Sequence, residues 1–293
     1  MAVLMISPGY PPEMPFFARG LARVGAPVLG IGDSPSAALP PMAKDALADY
    51  LQVPSLWDEE AVIQQVLNWE PSRHIVRVEC LWEPGMILAA RLREALDLGG
   101  MTVEETVTFR DKEDMKSILD DAGIRTPHHR RANTEDEVRE AAKAIGYPLI
   151  VKPIAGAGSA DTYRVDGQDE LERVLGLVAH VPEVSVEEFI DGEEFTYDTI
   201  CAGGEILYDN ICSYRPRPLI ARQNEWISAQ TVVLKDIDVP YLAAGREMGR
   251  AVRDALGFRT GFTHMEWFRK PDGEAVFGEI AARPAGARTT EIM

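Results

Sequence analysis

No stretch of this chain approaches the roughly 18 to 20 consecutive apolar residues of a membrane span. The apolar run Ala2 to Ile6 is too short for a secretory signal and is broken by Ser7, Pro8 and Gly9. Cysteine is scarce. The three present, Cys80, Cys201 and Cys212, are far apart and odd in number, which excludes a disulfide framework or a zinc-ligand spacing and fits a reducing compartment. A cytoplasmic protein is expected. Positive charge is also short, with 30 Lys and Arg against 47 Asp and Glu and a net charge of −17. Nucleic acid and anionic membranes are therefore not expected partners, since both need a basic surface. Any anionic ligand must be held by short local motifs or through a cation bound to carboxylates.

What is present is a globular mixture, 46% hydrophobic and 26% charged, in a chain long enough for two domains. Over the first hundred residues, strands at Ala2–Ile6, Ala26–Ile31 and His74–Glu79 alternate with helices at Met14–Val24, Glu59–Asn68 and Pro84–Leu98. Such alternation predicts a parallel α/β unit, with the loop Ser7–Tyr10 at the strand ends where open sheets bind ligands. Gly99-Gly100 punctuates the pattern, so a boundary is expected there: an α/β domain over residues 1–103, then an α+β module over 104–293. That module is expected to contain a helix from about Arg110 with Thr108 as its cap, a helix Glu135–Ile145, and strands near Leu149–Lys152, Val184–Phe189, Phe195–Cys201 and Glu205–Cys212. Helices near Glu170–Ala179 and Pro240–Leu256 complete it.

The last hairpin carries the strongest local signal. Gly261–Phe268 and Val276–Arg283 both alternate, and Pro271-Asp272-Gly273 between them is turn chemistry. A turn centred on Asp272 and Gly273 puts Glu266 directly opposite Glu279, with Cβ atoms about 5 Å apart. Facing carboxylates repel each other unless a cation bridges them, and Mg²⁺ takes one or two carboxylates together with phosphates and water. The period of two adds His264, Ala281 and Arg283 to the same face. A solvated edge hairpin has the same pattern.

Four further motifs are each weak alone. Lys152 ends an apolar run and precedes Pro153 to Ala160, whose glycines could close backbone N–H groups over phosphate. Lys112 occupies the first turn of a helix, where a cation is electrostatically misplaced. Glu187-Glu188-Phe189-Ile190 leads into Asp191-Gly192-Glu193-Glu194, which could frame an adenine and its ribose. Arg215, Arg217 and Arg222, with Asn224, Glu225 and Trp226, form a basic aromatic loop that either recognises a substrate carboxylate or is ordinary surface.

Taken in order, Asp111-Lys112, Val151-Lys152-Pro153 with its glycine loop, Val186 to Ile190 with Gly192 and Glu194, Met265-Glu266, and Glu279 with Arg283-Pro284 resemble the ATP-grasp superfamily over roughly residues 104 to 286. The first domain resembles the one that precedes the ATP-grasp module in its carboxylate-amine ligases. The resemblance implies an ATP- and Mg²⁺-dependent ligase (with Mn²⁺ as a substitute metal) that forms an acyl phosphate and then an amide, releasing ADP and phosphate. Lys112 and Lys152 would contact the ATP phosphates under the loop of Gly156, Gly158 and Ser159. Glu187, Glu188, Phe189 and Ile190 would line the adenine pocket, and Glu194 would hold the ribose. Glu266 and Glu279 would bind metal, and Arg283 would steady the transferred phosphoryl group. Residues 126–186 would form a mobile lid, the substrates would be a small carboxylate and an amine of the amino-acid type, and a homodimer is expected. His264 would act as a base towards the amine or fill the site wall.

Two features depart from the family pattern. Ala281 stands where an asparagine is frequent, which weakens a second metal site, and the chain stops at Met293, 14 residues after Glu279. A short member or a fragment is expected. The competing readings are an ATP-grasp carboxylase activating bicarbonate and an ATP-binding protein without turnover. A Rossmann dehydrogenase is disfavoured because no GxGxxG follows the first strand.

Overall fold

The structure is a computed structural model that describes residues 1–154, 160–224, 226–286 and 289. Its chain forms two compact units, Met1–Val107 with Ala282–Met293, and Thr108–Ala281.

In the first unit the uniformly apolar strands β1 (Ala2–Ile6) and β2 (Val28–Gly32) are buried on both faces, as parallel strands under helices must be. With β3 (Leu47–Gln52) and β4 (Ile75–Glu79) they form a parallel sheet of order β3-β2-β1-β4. The sheet is accompanied by α1 (Met14–Arg23), α2 (Pro41–Ala46), α3 (Glu59–Asn68) and α4 (Met86–Ala95). Val62, Ile63 and Val66 of α3 and Leu88 and Leu92 of α4 join Leu4, Ile6 and Ile31 in one core. Strand β3 was not expected, because it is a half-exposed edge with no apolar run. The short α5 (Val103–Thr108) follows.

The second unit opens with α6 (Lys112–Asp121), capped by Asp111, whose Oδ1 accepts from the backbone N–H of Glu113 and Asp114 at 3.0 Å each. This corrects the expected Thr108 cap and moves the helix start by two residues: the carboxylate sits where two orphan N–H groups point at it. Strands β5 (His129–Ala132), β6 (Leu149–Pro153), β7 (Tyr163–Val165) and β8 (Val184–Glu188) make an antiparallel sheet of order β5-β8-β6-β7. Helices α7 (Glu135–Ile145), with a complete capping box at Thr134 and Glu137, and α8 (Gln168–Val178) share a core with it.

The remaining strands are β9 (Glu193–Ala202), β10 (Glu205–Asn210), β11 (Cys212–Arg215), β12 (Gln230–Val233), β13 (Gly261–Arg269) and β14 (Ala275–Ala281), with α9 (Pro218–Gln223) and α10 (Ala243–Ala255) between them. They form a sheet of order β12-β11-β9-β13-β14, with β10 also paired to β9. Along β9 and β13, Phe195, Tyr197, Met265 and Trp267 are buried, and Gly245 and Gly249 of α10 lie against the Trp267 and Tyr197 rings. The alternate residues form the opposite face. Among the described residues no helix is long and apolar enough to cross a membrane.

Candidate active site

Period-two alternation puts Glu194, Thr196 and Asp198 of β9 beside Phe268, Glu266 and His264 of β13, in the register Glu194↔Phe268, Thr196↔Glu266 and Asp198↔His264. Strand β14 continues this face: Glu266 pairs with Glu279 and His264 with Ala281. The facing carboxylates expected from the turn are therefore present. A bulge at Gly278 follows the pair, so that Trp267 is opposite Phe277. Strand β14 ends at Ala281, and the alternation that was expected to bring Arg283 onto this face stops with it. Within the first unit, Arg283 Nε donates to Glu83 Oε2 at 2.8 Å.

Two lysines meet this acidic face. Lys112, only 6% exposed, holds its Nζ 3.2 Å from Glu279 Oε1. Its place in the first turn of α6, unfavourable for a cation by helix dipole alone, is offset by that carboxylate. Lys152, at the end of β6, holds Nζ 2.9 Å from Glu187 Oε2. Burial works against its charge, but Glu187, Glu279 and Glu266 outweigh this and raise its pKa. The carboxylate of Glu187, a residue expected at the adenine pocket, lies between Lys152 and Lys116, whose Nζ is 2.5 Å from the other oxygen. Burial pushes Glu187 up, and the two lysines hold it well below the usual carboxylate range all the same.

Glu188 receives both of its Arg125 contacts from one guanidinium nitrogen, at 3.0 and 2.9 Å, and the His128 backbone N–H at 3.2 Å. Ile190 is buried, and the Phe189 ring carries the guanidinium of Arg164 at 4.2 Å and that of Arg217 at 5.1 Å. Arg217 Nε also donates to Glu194 Oε2 at 3.1 Å. Glu194 is nevertheless pushed up to about 7, by burial first and by Glu266 second. Gly156, Gly158 and Ser159 lie outside the described residues, as do Glu225 and the side chain of Arg222.

His264 is held by a residue the sequence reading passed over. Its Nδ1 lies 2.6 Å from Asp198 Oδ1, Asp198 accepts from Thr196 Oγ1 at 2.6 Å, and His264 Nε2 is 3.7 Å from Glu266 Oε1. Burial opposes the imidazolium, but Asp198 and then Glu266 overcome it and bring the pKa up to about 9. An imidazole already protonated at neutral pH lacks the lone pair a base needs, so the arrangement suits a cationic wall better. Because the folded-state pKa lies above the unfolded value, the stability this pairing adds is complete below about pH 6.5 and is lost as pH rises through about 9. The gap in unfolding free energy between wild type and His264→Gln, measured in urea without magnesium, is expected to be larger at pH 6 than at pH 10 by roughly 3 kcal/mol. A gap that does not change with pH would mean that folding leaves the His264 pKa at its unfolded value, and a smaller gap at pH 6 would mean a ring held neutral.

Tyr214 of β11 donates from its hydroxyl to Glu266 Oε1 at 3.0 Å, and burial together with Glu266 raises its pKa, so it stays a neutral donor. Among the described residues, no group of three or more His, Cys, Asp and Glu side chains is arranged to hold a metal alone. The Glu266–Glu279 pair offers hard oxygen donors that fit Mg²⁺ when phosphates and water supply the rest of its shell. The geometry therefore suits an anionic, metal-bound ligand between two ammonium groups and two carboxylates. Alternation along β9 could have pointed to Asp198, and the i, i+4 spacing from Lys112 could have pointed to Lys116.

The ATP-grasp domain model matches residues 117–290. Over 241 residues the chain is 27% identical to the L-arginine-specific L-amino acid ligase of Bacillus subtilis, an alignment covering 80% of this chain and 57% of that protein. Over 291 residues it is 27% identical to the formate-dependent phosphoribosylglycinamide formyltransferase of Synechocystis sp., covering 92% of this chain and 66% of that one. The chain thus spans less than two thirds of the length of these curated relatives. Among solved structures, an L-amino acid ligase from Bacillus licheniformis has the same fold, with a TM-score of 0.80 at 24% identity over 99% of this chain and 69% of that one.

Proposed function

The chain belongs to the ATP-grasp family, and from that premise we propose that it uses ATP and Mg²⁺ to activate a small carboxylate as an acyl phosphate and join it to an amine. Amino acids are the substrates this reading favours, in keeping with the similarity to an amino acid ligase. The observation that carries it is the cross-strand pair Glu266–Glu279, with Lys112 on Glu279.

Each side chain then has a role set by its chemistry. Glu266 and Glu279 hold the magnesium, which supplies neutralisation of phosphate charge when bound. Lys112 and Lys152 donate to phosphate oxygens as point charges. Glu194, next to Arg217, takes the ribose hydroxyls, while Phe189, Ile190 and the backbone near Glu188 line the adenine. His264, fixed by Asp198, presents a positive wall to the developing acyl phosphate. Such a site works by positioning and charge stabilisation and needs no covalent link to the protein. In the same reading β5 to β8 act as the lid and the assembly is a homodimer.

The test is phosphate release from MgATP across a panel of amino acids and amines, with product masses recorded and Lys152→Ala as control. Release that needs both a carboxylate and an amine, gives a condensed product, and is lost in the variant is the expected result. Turnover with bicarbonate in place of the carboxylate would assign a carboxylase, and tight ATP binding without release under any combination would assign a silent nucleotide-binding protein.

A further inference from the structure

The mechanism above leaves Lys116 unused, although burying it is costly. Its side chain is 1% exposed, one helical turn beyond Lys112 on α6. Its Nζ lies 2.5 Å from Glu187 Oε1 and 3.7 Å from Glu113 Oε1. Glu187, also buried, takes Lys152 on its second oxygen at 2.9 Å and the Ser185 hydroxyl on its first at 2.7 Å. Glu113 is balanced in turn by His129, whose Nδ1 is 2.8 Å away and whose Nε2 lies 3.1 Å from Asp120, and it competes with Glu187 for the single Ser185 hydroxyl proton. One buried carboxylate therefore sits between two ammonium groups, one more than pairing alone requires.

The second ammonium matters when the first is drawn away. For Lys152 to serve a phosphate, it must direct protons from Glu187 towards the nucleotide. With Lys152 as its only cationic partner, Glu187 would become a buried carboxylate without a counter-charge, and that cost would oppose nucleotide binding. With Lys116 in place the carboxylate stays paired. Burial and then the like charge of Lys152 lower the pKa of Lys116, against the pull of Glu187. Moving the Lys152 charge towards a phosphate relieves that repulsion and strengthens the remaining pair. Lys116, in the middle of α6, is enclosed against Glu187, which separates its role from that of Lys112 on Glu279.

Resting on the proposed ATP-dependent reading, we infer that Lys116 is a positioning residue that keeps Glu187 paired while Lys152 turns its ammonium to the ATP phosphates. The effect should appear only with ligands that carry phosphate. Dissociation constants for MgATP and for adenosine, measured by titration calorimetry on the full chain, test this. Lys116→Met is expected to weaken MgATP by about tenfold, the loss of one charge-assisted contact, and to change adenosine by less than about twofold. Lys116→Met/Glu187→Gln is expected to recover the preference for MgATP over adenosine, because a neutral amide no longer holds Lys152 back. The double variant also serves if Lys116→Met alone fails to fold.

Equal weakening of both ligands, or no weakening of either, would overturn the inference and leave the proposed function standing. Failure of the double variant to recover the preference would also overturn it, because Lys116 would then be touching phosphate directly. A wild-type chain that does not bind MgATP would instead sink the functional reading itself.

Discussion

Glu279→Ala is expected to lower the ligase rate by about a thousandfold, the scale of removing one preorganised electrostatic partner worth about 4 kcal/mol at the transition state. Glu279 faces Glu266 across the hairpin and holds Lys112 at 3.2 Å, so its removal takes away one of two carboxylates that fit the metal and releases a buried lysine at the same time. Stability is also expected to fall, because Lys112, only 6% exposed, loses the carboxylate 3.2 Å from its Nζ, and this cost exceeds the relief of carboxylate repulsion. Two carboxylates in direct cross-strand opposition repel one another in the metal-free protein, and removing one relieves this by up to about 1 kcal/mol. Turnover measured by phosphate release beside urea unfolding without magnesium separates the effects. A variant with normal turnover would move the metal site elsewhere, and one that loses turnover only because it unfolds would make Glu279 structural.

The second large effect concerns α10. Helix propensity alone says that replacing an interior glycine with alanine stabilises by about 1 kcal/mol. At Gly249 the opposite is expected, because a Cβ there would lie 2.1 Å from the Tyr197 ring, and at Gly245 one would lie 2.1 Å from the Trp267 ring. Neither ring has room to yield: Tyr197 is 1% exposed with its hydroxyl on Asp209 at 2.9 Å, and Trp267 is fully buried with its indole N–H donating to the Thr196 carbonyl at 3.3 Å. Overpacking of this kind costs about 3 kcal/mol, which exceeds the propensity gain. Gly249→Ala is therefore expected to lower the urea midpoint, whereas Gly176→Ala in α8, where a Cβ would meet nothing within 4 Å, should raise it. Equal gains in both would mean that α10 shifts off the sheet without cost. Because Tyr197 and Trp267 alternate with Thr196, Asp198 and Glu266 along the same strands, this packing also sets the position of the acidic face.

Much of this was legible in the sequence wherever a pattern repeats locally. Helix α3 and helix α7 were expected at their observed limits, because apolar spacing and caps are local signals. The Glu266–Glu279 pair followed from two alternating runs and one turn. Strands β3, β5, β7, β11 and β12 were missed because each is short or half-exposed and shows no apolar run. Thr108 and Asp111 are both capping residue types, and only the observed N–H directions identify Asp111 as the cap. Arg283 was assigned to a face by continuing a strand past its end at Ala281.

The partners of the site lysines and of His264 lay beyond such reasoning. Lys116 meets Glu187 across 71 residues, His264 meets Asp198 across 66, and Tyr214 meets Glu266 across 52. By itself the sequence determined the longer, periodic secondary elements, the ATP-grasp family resemblance and the facing carboxylates, because backbone periodicity and turn chemistry act over a few residues. Only the tertiary structure decided which lysine neutralises which carboxylate, that Asp198 holds His264, and that Glu187 has two ammonium partners. Those outcomes depend on burial and on the packing of distant elements, which together decide whether a charge finds a counter-charge.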